Sequence, residues 1–508
     1  MAPAVAGPGD GIIERLVAAD TVRWWNKPNL RRLYLLLVPF CLFIESTSGF
    51  DSSMMNGMQA LNYWQEYFGH PKGGQLGLLV ACYNLGAITS IPFVAIVSDH
   101  LGRRKSIVLG STIMIIGAIM QGLSQNLAMF IFSRIFLGHG IVYAIISGAA
   151  LLGELGHPKE RAFLGSMFNA FFGVGSVLGA GIVVRTLLIP SDWSWRLPSI
   201  LQAIPSVIQI VFALTVPESP RWLVSKDRSE EALEILIKYH AEGDASAELP
   251  HIEIAEIRKA LELENESRQR GWAELFQSKG MRHRAVVAAG LGIFVQYSGN
   301  NLISQYLVPI LKKIGIEDSH TQVRYNVGSE AWGFLMALVM ASVSPRFPRR
   351  RMYLLCASCL LCVYTAWTIA QARNRMTGSK ETGYAVLVMI FSTARIHIAT
   401  RLTTSTWSSY PYYVRHQGPF MVSTLQQMLR HAWDLDWKFL FVYIALLSFE
   451  IVFIYFLFPE TYGKTLEELT FLFESEKQDR EALAVTTAKI LGQDGNVTEI
   501  HEAPEKKA

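Results

Sequence analysis

Two charged side chains interrupt long apolar stretches of the chain: Asp51 in Gly49-Phe50-Asp51-Ser52-Ser53-Met54-Met55-Asn56-Gly57, and Arg134 in Ser133-Arg134-Ile135-Phe136-Leu137-Gly138. Either charge is expensive in hydrocarbon unless it is protonated, paired or turned towards a cavity. If the two meet, the chemistry open to them is proton exchange. Protonating Asp51 would release Arg134, and a proton would then be coupled to a change of shape. The competing roles are structural: Asp51 as a cap at the outer end of its segment, and Arg134 as a side chain snorkelling to a headgroup.

A second set of charges sits between apolar stretches rather than inside them. In Ser98-Asp99-His100-Leu101-Gly102-Arg103-Arg104-Lys105, Gly102 permits a tight turn while Asp99, Arg103 and Arg104 can cap helix ends and cross-link neighbouring segments. Glu154 and Arg161, in Glu154-Leu155-Gly156-His157-Pro158-Lys159-Glu160-Arg161, fall at the same level. Two such clusters at parallel positions predict a gate that holds one side closed; a surface charge cluster without function is the alternative. Three cysteines, Cys356, Cys359 and Cys362, are spaced as metal ligands could be, but no His or carboxylate accompanies them in that stretch. We read them as packing residues, with no metal and no disulfide framework.

The elements that must position these groups follow from composition. The 508 residues are 51% hydrophobic and 17% charged, against roughly a quarter charged for a soluble globule. Crossing roughly 30 Å of hydrocarbon takes about 20 apolar residues. Such runs lie at 34–58, 75–97, 107–123, 127–152, 164–188, 195–216, 284–311, 325–344, 352–371, 384–412 and 438–458, with a short, atypical eleventh span at 418–434 making twelve. No cleavable signal is expected, so the first span targets the chain. Arg103, Arg104 and Lys105 share one loop and Arg346, Arg349, Arg350 and Arg351 another, both after even-numbered spans. By the positive-inside rule, both termini are then cytoplasmic. The net charge of +4 reflects these membrane-flanking clusters and does not imply nucleic acid.

The halves look like copies. Gly102-Arg103-Arg104 after the second span is echoed by Pro348-Arg349-Arg350 after the eighth. Pro217-Glu218-Ser219 after the sixth is echoed by Pro459-Glu460-Thr461 after the twelfth, at nearly the same offset along the chain. Duplication of a six-span unit explains both, and paired bundles are a route to alternating access around a midplane site. The organisation is thus a cytoplasmic tail (1–33), a six-helix bundle (34–216), a cytoplasmic linker with amphipathic helices (217–283), a second bundle (284–458) and a charged tail (459–508).

Taken together, Gly49 to Gly57, Asp99 to Arg104, Arg134 with Gly138, Glu154 to Arg161, Pro217-Glu218-Ser219-Pro220-Arg221-Trp222-Leu223 and Pro459-Glu460-Thr461 resemble the sugar porter family of the major facilitator superfamily. The likeness covers roughly residues 34–470, and Phe294 to Asn301 is similar to fungal lactose permease-like and hexose transporters. The resemblance implies an all-α polytopic fold of 12 helices in two pseudo-symmetric six-helix bundles. It also implies proton-coupled sugar uptake with Asp51 and Arg134 as the coupling pair, and substrate contacts at Asn169, Gln296, Asn301 and Trp407. It assigns the cytoplasmic gate to Asp99, Gly102, Arg103, Arg104, Glu154, Arg161, Glu218, Arg221, Arg349, Arg350, Arg415 and Glu460. Asn169 and Gln296 have an alternative role as interhelical hydrogen-bonding residues.

The chain also departs from the family. Val295 replaces the first of two glutamines common in bacterial and animal relatives, and Pro345 and Pro348 replace an acidic residue and a glycine before Arg349. Tyr410-Pro411-Tyr412-Tyr413-Val414-Arg415 lacks the family's glutamate, while Arg395 and Arg401 lie inside the tenth span. The expected function is proton-coupled symport of a sugar or sugar-like molecule, by a protein working as a monomer in the plasma membrane, with no cofactor and no catalytic residues. The alternatives are a non-transporting nutrient sensor on the same fold and a transporter of a secondary metabolite. A membrane enzyme would need a His-rich or metal-spaced cluster at the membrane boundary, which the sequence does not offer.

Overall fold

The computed structural model describes residues 19–71, 74–270, 315–343, 347–377, 380–405 and 440–458, with short pieces elsewhere. Every regular element among them is helical. The first six spans are Pro28–Met58, Gly74–Leu101, Arg103–Gly122, Leu127–Leu155, Arg161–Thr186 and, as one broken helix, Trp193–Ala213. The eighth, ninth, tenth and twelfth are Ser319–Val343, Arg349–Thr377, Lys380–Ser405 and Leu440–Leu457. Most of the seventh span and all of 418–434 lie outside the described residues.

Several helices run a turn or more beyond the apolar runs that announce them. The second continues to Leu101 and the ninth starts at Arg349, because a helix can carry polar residues once its end leaves hydrocarbon. Two spans are interrupted, each at proline. In the first, Val38–Leu42 forms a wide turn that contains Pro39, whose ring removes a backbone donor and crowds the preceding turn. The sixth breaks between Trp193–Leu201, which contains Pro198, and Ile204–Ala213, which starts with Pro205 in its first turn.

Lipid tails give helices no hydrophobic reason to associate, so close packing has to come from small residues. Gly49 and Gly175 let the first and fifth spans touch: a Cβ on Gly49 would lie 2.0 Å from the Phe172 carbonyl oxygen, and one on Gly175 1.9 Å from that of Ser46. Gly86 and Gly138 do the same for the second and fourth spans, and Gly110 faces Gly140 between the third and fourth. Cys41, Cys82 and Cys356 are buried, whereas Cys359 and Cys362 are exposed; the packing role expected for all three second-bundle cysteines holds only for Cys356.

Beyond the sixth span, Pro220–Ser225, Ser229–His240 and Glu248–Arg270 form the linker helices. Leu223, Val224, Ala232, Leu236 and Ile254 make a small core of their own. The linker is fastened to the first span, where the Glu242 carboxylate accepts the Asn29 and Leu30 amides at 2.9 Å each, satisfying donors that a helix start leaves free.

The two bundles meet along a seam in which the eighth span packs on the fifth and first. Phe334 of the eighth span sits where a Cβ on Gly173 would approach within 2.7 Å. Asn56 donates to Asn326 at 3.0 Å, and Asn326 donates to the Ser53 carbonyl oxygen at 3.2 Å. Val308 and Val323 join the apolar cluster formed by Met54, Met58, Trp64 and Trp195 of the first bundle.

Candidate functional site

Asp51 and Arg134 meet. The guanidinium donates through both terminal nitrogens, to Oδ1 at 3.1 Å and Oδ2 at 3.3 Å, the planar fork that suits a carboxylate. Side-chain exposure is 1% for Arg134 and 7% for Asp51, which removes both structural alternatives: neither a snorkelling arginine nor an end cap is sealed in this way. Asp51 lies in the middle of the helix Phe43–Met58 rather than at its end. Arg134 Cζ also stands 5.6 Å from the centre of the Tyr83 ring, and its Nε has no hydrogen-bond partner.

The glycine crossings set this geometry. Gly138, one turn past Arg134, lies against the Tyr83 carbonyl, and Gly86, one turn past Tyr83, lies against that of Ile135. The fourth span is thereby drawn in until its arginine faces the second span's tyrosine and the first span's aspartate. Chemically, the pair is a buried carboxylate held by a guanidinium, a group that can gain or lose one proton. A proton on Asp51 leaves Arg134 without its anion, and a buried cation in that position has to find another partner or move.

Nine of the twelve residues expected at the gate can be placed with their side chains. Gly102 has φ of +91° and a Cβ there would be 2.6 Å from Glu218 Oε2, so both backbone and space require glycine. Glu218 accepts the amides of Arg103 and Arg104 at 3.0 and 3.2 Å, capping the third span. Burial pushes the Glu218 carboxyl up from its ordinary range, against the pull of these amides. Arg103 reaches Asp99 at 3.3 Å and Glu154 at 3.5 Å, and Arg104 donates to the Val216 carbonyl at 3.1 Å. Trp222 donates to the Asp99 carbonyl at 2.9 Å, and Ser219 donates to Glu154.

These contacts all lie within the first bundle and the linker. Arg161 is exposed at the start of the fifth span, apart from the cluster, and Arg221 is half-buried in Pro220–Ser225. In the second bundle, Arg350 donates to the Tyr455 carbonyl and stands 5.8 Å from the ring centre of the same residue. Arg349 starts the ninth span as Arg103 starts the third; its side chain, like Arg415 and Glu460, is outside the described residues.

Of the residues expected to touch substrate, Gln296, Asn301 and Trp407 are outside the described residues. Asn169 is exposed, with its amide donating to the Gly165 carbonyl at 3.0 Å. It lies one and two turns before Gly173 and Ser176, on the face of the fifth span that meets the eighth.

Sequence reasoning passed over three features. The Asn56–Asn326 lock joins residues far apart in the chain and leaves no local signal. Glu330 and Glu450 had one, since each interrupts an apolar run as Asp51 does. Glu450 is buried within the second bundle beside Tyr353, while Glu330 is half-buried at the seam beside Ser176.

A family profile described as "Sugar (and other) transporter" matches residues 38–473. The chain is 25% identical to an MFS-type transporter, criB, of Aspergillus cristatus, with 87% of this chain and 95% of that protein aligned. It is 26% identical to a probable quinate permease of Aspergillus fumigatus, over 89% of this chain and 90% of that one. The structure of the proton:xylose symporter XylE bound to 6-bromo-6-deoxy-D-glucose superposes with a TM-score of 0.72 at 19% identity, covering 88% of this chain and all 100% of that one. That likeness gives the fold: the major facilitator arrangement of 12 helices in two bundles, of which the helices above are members.

Proposed function

The chain belongs to the sugar transporter family, and we propose from that membership that it carries a sugar or sugar-like molecule across a membrane together with a proton. The observation that carries the coupling is the sealed, two-pronged Asp51–Arg134 pair, the kind of intramembrane carboxylate that a proton can switch. The seam is held by the Asn56–Asn326 lock at the end away from the arginine-rich loops. Those loops face the cytoplasm on this reading, as do both termini, so the seam lock closes the outer side.

In the transport cycle, Asp51 binds a proton from the outer side and frees Arg134. The bundles, 34–216 and 284–458, then rock about the midplane, and the proton leaves inward. Asn169, Gln296, Asn301 and Trp407 line the substrate path, supplying amide donors and acceptors for hydroxyls and an aromatic face for stacking. Asp99, Gly102, Arg103, Arg104, Glu154 and Glu218 brace the inner end of the first bundle, and Arg161, Arg221, Arg349, Arg350, Arg415 and Glu460 complete the inner gate. The protein works as a monomer in the plasma membrane, without a cofactor. A second reading, transport of an acidic or other metabolite, is favoured by the fungal relative named for quinate.

Uptake of labelled mono- and disaccharides and of quinate by transport-null yeast expressing the chain tests this reading, in acidic against neutral medium. We expect acid-stimulated uptake that Asp51→Asn abolishes. Uptake indifferent to both pH and Asp51 would remove the proton from the mechanism, and selective uptake of quinate would select the second reading.

A further inference from the structure

The proposed cycle uses one intramembrane carboxylate, and the seam holds another. Glu330 lies midway along Ser319–Val343, on the face that carries Asn326 one turn before it and Phe334 one turn after. Both neighbours engage the first bundle, Asn326 at Ser53 and Asn56 and Phe334 at Gly173. Between these two fastenings Glu330 is half-buried and within hydrogen-bonding reach of Ser176, whose hydroxyl also lies 3.2 Å from the Gly49 carbonyl oxygen. Among the described residues no cation is within ion-pair distance of Glu330, whereas Asp51 has Arg134.

The other titratable groups on the elements packed against it can be named. The fifth span has none between Arg161 and Arg185, and the first brings Glu45 and Asp51. Its own helix carries Arg324 and Tyr325 beside the seam stripe. The tenth span, packed on the eighth, contributes Lys380, Glu381, Tyr384, Arg395, His397 and Arg401, and the seventh Arg284, Tyr297 and Tyr306.

A carboxylate ion pressed into a closed seam, with a hydroxyl as its one polar partner among the described residues, loses most of its hydration, while the same ion in an opened seam keeps it. Its charge therefore opposes closure, and neutralising it removes that opposition. We propose that Glu330 is a second proton-binding site, which takes up a proton while the seam is open to the outer side and must hold it for the seam to close. The carboxylate becomes a carboxylic acid on loading and returns the proton inward after the bundles rock. This rests on the alternating-access reading above.

The test needs no substrate. Spin labels at Glu66→Cys and Glu317→Cys, both exposed at the outer ends of the two bundles, report the width of the outer side in a cysteine-free background reconstituted in liposomes. From pH 5 to pH 8 the unaltered seam should pass from mostly closed to mostly open. Glu330→Gln should raise the closed-to-open ratio at pH 8 by about tenfold, the effect of one unit of difference in proton affinity between the two states. Glu330→Asp should keep the transition, and Ser176→Ala, which leaves the carboxyl in place, should move its midpoint. A transition unmoved by both Glu330→Gln and Ser176→Ala overturns the proposal, as does an outer distance that does not respond to pH in the unaltered seam. Failure of the sugar reading would show instead in the uptake panel, which this measurement does not use.

Discussion

At the scale of single residues, the sequence test that exposed Asp51 and Arg134 was a charge in an apolar run, and burial in the structure shows why it works. Hydrocarbon allows such a group only when something else depends on it. The same test flags Glu330 and Glu450, and only position relative to the seam separates them. Arg134→Lys should reduce proton-driven uptake at least as strongly as roughly tenfold, because an ammonium cannot make two parallel bonds to Asp51; uptake kinetics at matched expression check this. His157 gives a second prediction. Burial and the neighbouring His240 push its imidazole down to about 3 from the usual value near neutrality. The folded protein therefore keeps His157 neutral while the unfolded chain takes up a proton below about pH 6.5, so stability is full above that pH and declines as pH falls towards 3. At pH 5 the loss amounts to about 2 kcal/mol. The thermal midpoint in detergent should drop between pH 7 and pH 5, and should drop less in His157→Gln.

Among the described elements, the order of the spans could be read from hydropathy, but their ends could not. Helices outrun their apolar runs because polar residues outside those runs cap their ends, as Glu218 does for the third span and Asn126 for the fourth. The breaks at Pro39 and at Pro198 with Pro205 have a local cause that the sequence carries openly, whereas which glycines touch which backbone depends on packing. Two variants separate these cases. Gly102→Ala meets both a left-handed backbone and the Glu218 carboxylate, and should destabilise the first bundle by about 1–2 kcal/mol. Gly138→Ala should be worse, since its methyl would fall 1.8 Å from a main-chain oxygen that cannot swing away. Monodispersity and melting of the purified variants measure both.

On the scale of the whole molecule, the repeated landmarks Gly102-Arg103-Arg104 and Pro348-Arg349-Arg350 foretold two bundles. How the bundles face one another was not legible, because the seam is built from residues some 270 apart in the chain. Asn326→Ala removes hydrogen bonds to both Asn56 and Ser53, and should shift the resting balance towards the outward-open form. Faster labelling of a cysteine placed in the seam is the readout.

The glycine crossings of the first bundle have a consequence for its evolution. Where main chain rests on main chain, no rotamer can adjust and no neighbour can be trimmed to make room, so a single added carbon at Gly49, Gly86, Gly138 or Gly175 is felt by the whole bundle. Outward-facing positions such as Phe93, Ile116 and Phe132 have no such neighbours to crowd. A saturation library selected for folding should therefore tolerate nearly any apolar residue at the latter and only glycine at the former. Substrate range is then free to drift only through side chains projecting from a scaffold that cannot itself be retuned.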